Sequence, residues 1–110
     1  MKVTPDEFPL RRAKVKYRLT PGRVYEVIGI EADDLRIVDD DNEPVLIPSN
    51  LLDVVDATEP EDWVTEHGDE GERYAYPAEI AEPGFFEDWH DGVPQAISRF
   101  EEFLRRRGVA

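Results

Sequence analysis

Two apolar runs parted by three turn residues constrain this chain most. Residues 45–55 read VLIPSNLLDVV, so a strand-like run stops at Pro48-Ser49-Asn50 and resumes at once. Proline, serine and asparagine favour turns for separate physical reasons. The segments before it carry the same signal. AKVKY alternates, with Val15 and Tyr17 on one face, and RVYEVIGIEA is dominated by β-branched and aromatic residues. Thr20-Pro21-Gly22 reads as a turn, and short acidic links at 32–34 and 40–43 read as two hairpin connections. The pattern predicts strands near 13–18, 23–31, 34–39, 44–48 and 52–56. Val15, Val24 or Tyr25, Val27, Ile37, Leu46 and Leu52 are the expected core. Residues 1–12, with Pro5 and Pro9, read as an extended arm. Asp39–Glu43 lacks the glycine and closing glutamate of a calcium loop and reads as a solvated hairpin tip.

The second half changes character. Residues 58–92 are rich in proline, glycine and acids, yet they contain Trp63, Tyr74, Tyr76, Phe85, Phe86 and Trp89. A disordered linker rarely carries so many aromatics. DWVTEH and ERYAYP read as two extended pieces around a GDEG turn. PGFFEDW reads as a helical turn that buries Phe85, Phe86 and Trp89 together, with Asp91 capping the helix that follows. From 93 to 108, Val93, Ala96, Ile97, Phe100, Phe103 and Leu104 recur at helical spacing. Pro94 suits the first turn, Arg105–Arg107 the negative end, and Gly108 the C-terminal cap. The fold class is therefore mainly β with a C-terminal helix, α+β, in a single domain over 1–110. The apolar face of the helix is expected to pack on Trp63, Phe85, Phe86, Trp89 and the β part.

Charge decides among partners. The chain has 26 acids against 13 lysines and arginines, a net charge of -13. Residues 57–92 hold 12 of the acids and one base, Arg73. Such a surface repels phosphate backbones, which argues against nucleic acid, and it steers a basic protein partner toward itself. The same charge also serves solubility. No apolar run approaches the ~20 residues that span a bilayer. No secretory signal stands at the N-terminus and there are no cysteines, so a cytoplasmic location and no thiolate chemistry are expected.

The segment 13–57 resembles a Src-homology-3-type barrel. Gly22 opens a strand, two hairpins follow, and Pro48-Ser49-Asn50-Leu51-Leu52 closes the series. The resemblance implies a five-stranded barrel in which Pro48–Leu51 form one 3₁₀ turn, reversing the chain while keeping Leu51 or Leu52 inside. The aromatic groove of that family is not matched, because Leu35 and Leu51 stand where it has Trp and Tyr. The long acidic loop near its start is also missing, since only RLTPG joins the first strand to the second. Gly84-Phe85-Phe86-Glu87-Asp88-Trp89-His90-Asp91-Gly92 resembles small bacterial immunity-type proteins of toxin–immunity systems.

Three functions compete. The first is an inhibitor or immunity-type module that neutralises a basic protein, with Glu66, Asp69, Glu70, Glu72, Trp63 and Trp89 as contact residues. The second is a metal-dependent or acid–base enzyme using the Glu87–Asp91 cluster with His90, and His67 as the only other histidine. The third is a peptide-binding adaptor using the barrel. No nucleophile motif or phosphate loop is present. The expectation is a binder, not an enzyme, with no cofactor or metal.

Overall fold

A computed structural model describes residues 1–109. Strand β1 (Lys2–Pro5) is followed by helix α1 (Glu7–Arg12) and then by β2 (Tyr25–Glu31), β3 (Asp34–Val38) and β4 (Pro44–Pro48). A 3₁₀ turn over Ser49–Leu51 leads straight into β5 (Leu52–Asp56). The three-residue pause is thus a single tight turn, with Leu51 and Leu52 both buried. The strands pair antiparallel in the order β4-β3-β2-β1-β5. No ladder joins β4 to β5 among the described residues, so this small barrel-like sheet stays open. Strands β6 (Trp63–His67) and β7 (Arg73–Pro77) form a further hairpin. Helices α2 (Phe85–His90) and α3 (Pro94–Arg107) complete the chain.

The first strand is not where alternation predicted it. Residues 13–18 form no strand, and Val15 is 58% exposed. β1 takes that place, inside the stretch read as an extended arm. Val3 is fully buried, and β1 is held on both sides, by β2 and by β5. The rest of the arm is α1, with Pro9 in the first turn, where a missing N–H costs nothing. Residues 6–24 therefore form a long connection rather than the short RLTPG link. Asp40 pins that connection. Its carboxylate accepts from the Thr20 hydroxyl at 2.8 Å, the Tyr25 hydroxyl at 2.6 Å and the Arg23 guanidinium at 2.6 Å. The neighbouring tip is not simply solvated either. Buried Asp39 accepts from the backbone N–H groups of Asp41 and Glu43 at 2.9 and 3.0 Å.

A β-bulge divides the core in two. In β2, Val27 faces Ile37 and Gly29 faces Arg36, so Ile28 is the extra residue. A bulge breaks the two-residue period. Tyr25, Val27 and Ile30 consequently all join the first core, with Val3, Leu35, Ile37, Ile47 and Leu52. Strict alternation would put Ile30 on the face opposite Val27. Val24 is exposed, which settles the expected pair in favour of Tyr25. Leu46 is only half-buried, and its neighbour Ile47 fills the core instead.

Ile28 and Val38 face the second core, with Ile80, Phe85, Phe86, Ala96, Phe100, Phe103 and Leu104. Trp89 packs against it, whereas Trp63 packs against the first core, away from the predicted helix contact. Asp91 does not cap α3, whose N-cap is Val93; it ends α2, donating its N–H to Glu87 O. Gly108 closes α3 in the left-handed conformation at φ 66°. Arg107 in that last turn donates to Asp62 and, at 2.6 Å, to Glu79, tying the helix to the β6 entry and to the segment after β7.

Candidate binding surface

The acidic hairpin is built by cross-strand register. Val64 faces Tyr76, Thr65 faces Ala75 and Glu66 faces Tyr74. Side chains alternate across a strand. One face therefore carries Trp63, Thr65 and Ala75, of which Trp63 and Ala75 pack in the first core, and the other carries Val64, Glu66, Tyr74 and Tyr76. The turn between the strands uses Gly71 at φ 82°. Glu72 folds back to accept from the Glu70 N–H at 3.0 Å, so its carboxylate closes the turn rather than projecting. Glu66, Asp69 and Glu70 are exposed and form no ion pair among the described residues. Arg73, the one base of the segment, is committed to Glu59, to which it donates at 2.8 Å through one of its two contacts. The Arg73 guanidinium in turn holds the Glu59 carboxyl below its ordinary range.

Beneath Tyr76 lies a group that sequence reasoning missed. Arg36 is 8% exposed and donates to Glu31 at 2.6 Å and to the Tyr76 hydroxyl at 3.1 Å. The Tyr76 hydroxyl donates to Glu31 at 2.5 Å. Burial, chiefly, raises the Tyr76 phenol well above its ordinary value, so it stays neutral and able to donate. The Arg36 guanidinium carbon lies 4.0 Å from the Phe86 ring centroid, a cation–π contact. Gly29 makes room: a Cβ there would sit 2.0 Å from the Tyr76 ring. The one available signal was a charged residue between the apolar Leu35 and Ile37.

A cleft of about 240 Å³ opens over this group, between the Glu66–Tyr74 face and the segment Ile80–Glu87. A wider groove of about 830 Å³ runs along α3 past Trp89, Ile97 and Leu104 to the β3–β4 tip at Asp41 and Glu43. Trp63 and Trp89 belong to different cores and do not form one anchor. Glu66 and Trp89 line separate concavities. Glu87, Asp88, His90 and Asp91 are all exposed on and just after α2. Among the described residues, no three side chains of His, Asp or Glu converge as a metal site. No helix among them is long and apolar enough to cross a membrane. No protein family, curated protein or solved structure matches the chain.

Proposed function

We propose that this chain is a protein-binding module of the inhibitor or immunity type. It presents the acidic β6–β7 hairpin to a basic protein partner in the cytoplasm, and it is not an enzyme. The observation that carries this reading is the state of the hairpin acids. Glu66, Asp69 and Glu70 are exposed and have no counter-ion among the described residues, while Arg73, the one base of residues 57–92, is spent on Glu59. Exposed, uncompensated charge of one sign raises encounter rates with a partner of the other sign and selects against the wrong partners. Tyr74 and Val64 on the same face supply apolar contact beside that charge. We further read the five-strand path as a Src-homology-3-like barrel, on the strength of the 3₁₀ turn at Ser49–Leu51 and the return of β5 to β1. In this reading the barrel is a scaffold for the hairpin.

The test is co-expression with the product of the adjacent gene. Relief of that product's toxicity by this chain is the expected result, lost on reversing Asp69 and Glu70 to Lys. A neighbour that is harmless, or toxic and unrelieved, would remove the immunity reading. A peptide-binding adaptor is the second reading, favoured by Phe8. It is 70% exposed on α1, beside the 3₁₀ turn to which Asp6 donates through Leu51 O at 2.9 Å. Proline-rich peptides that bind the parent and not Phe8→Ala would support it.

A further inference from the structure

Building on the reading of a basic partner, we propose that the cleft above Tyr76 receives an arginine side chain of that partner. The cleft is not merely acidic. Tyr74, 37% exposed, stands on one wall with Glu66 directly across the strand pair from it, and Glu87 stands on the opposite rim. Glu66 and Glu87 form no ion pair among the described residues, whereas Glu82 on the same rim is already held by Arg99 at 2.8 Å. The floor already holds one guanidinium in the manner inferred for the second. Arg36 lies against the Phe86 ring while its N–H groups are used by Glu31 and Tyr76. Arg36 is the one positive charge lining the cleft, and Glu31 neutralises it. The remaining carboxylates therefore dominate the field at the mouth.

A planar guanidinium fits this combination better than an ammonium. It can lie on the Tyr74 ring and donate two parallel N–H bonds to the Glu66 carboxylate, whereas lysine offers a point charge. A second copy of this chain is the poorer occupant, because two molecules at -13 repel.

The experiment is a titration of the ¹⁵N-labelled full chain with acetyl-Gly-Arg-Gly-amide, followed by amide shifts. The same peptide with citrulline in place of arginine, neutral and of the same shape, is the control. Saturable shifts are expected at the amides of Glu66, Tyr74, Ala81 and Gly84 with the arginine peptide alone. Glu66→Gln should weaken that response roughly fivefold, the scale of one exposed charge contact, while the spectrum away from the cleft stays unchanged. Tyr74→Ala, on an exposed position, should weaken it independently. Equal shifts from the citrulline peptide, or no saturable response, would overturn the inference. Shifts confined to Asp69 and Glu70 would also overturn it while leaving the hairpin standing as a binding face. The co-expression assay decides the wider reading separately.

Discussion

Asp40 accepts from three side chains that belong to the long connection and to β2. Partial burial pushes its carboxyl up, but the hydrogen bonds from Tyr25 and Thr20 and the charge of Arg23 outweigh that and hold it below the ordinary value. The folded carboxyl thus titrates below the unfolded one, which lies near ~4. Its stabilisation is complete above that unfolded value and is lost as pH falls through the folded one. Asp40→Ala should lower unfolding free energy at neutral pH by about 1–3 kcal/mol, the cost of removing hydrogen bonds to a charged acceptor. Urea melts at neutral pH and again below pH 3 check this, because the gap between parent and variant should narrow in acid. Gly29 makes a second case. Gly29→Ala drives a methyl into the Tyr76 ring and should cost about 1–3 kcal/mol, as overpacking does. An unchanged melting temperature would mean that Tyr76 moves aside freely.

Among the elements, α3 depends on the rest of the molecule through its buried aromatic face. Isolated helices of this length are marginal in water. Phe100 is 1% exposed and touches the rings of Phe86, Trp89 and Phe103. Phe100→Ala should therefore cost about 3–5 kcal/mol in a denaturant melt. The helix was legible because its signal is local: apolar spacing, a proline at the start and a glycine at the end. β2 to β5 were legible for the same reason, since each joins its neighbour through a short turn. β1 was not. Its four residues show no distinctive pattern, and its partners sit at Tyr25–Glu26 and Leu52–Asp56, far along the chain. AKVKY alternates as a strand should, yet it pairs with no strand, and β1 holds the place between β2 and β5. The exposed acids of the hairpin could be found from charge alone. Arg36, Glu31 and Tyr76 could not, because Tyr76 lies 45 residues from Glu31 and no local pattern joins them.

At the scale of the whole molecule, the two cores share one sheet. Ile28, Arg36 and Val38 leave the outer face of β2 and β3 unfinished until α2 and α3 cover it. A fragment of residues 1–57 should expose that face, with Arg36 deprived of Tyr76 and Phe86. It is expected to aggregate or to lack a cooperative melt, whereas the full chain unfolds in one transition. A soluble, cooperatively melting fragment would show that the first core suffices.

One edge of β2 is divided between an earlier strand and a much later one. β1 pairs with its first residues at Tyr25–Glu26, and β7 with its last at Ile30–Glu31. On the ribosome these halves close at different times. β1 is synthesised before β2, so its half can pair as soon as β2 emerges. The other half stays open until Tyr74 and Ala75 have been made. During that interval it offers unpaired backbone groups and a bare Gly29 to any neighbouring nascent chain. Slow translation between residues 32 and 73 should therefore raise the yield of misassembled chains more than the same delay placed after residue 77. Solubility of synonymous-codon variants would measure the difference.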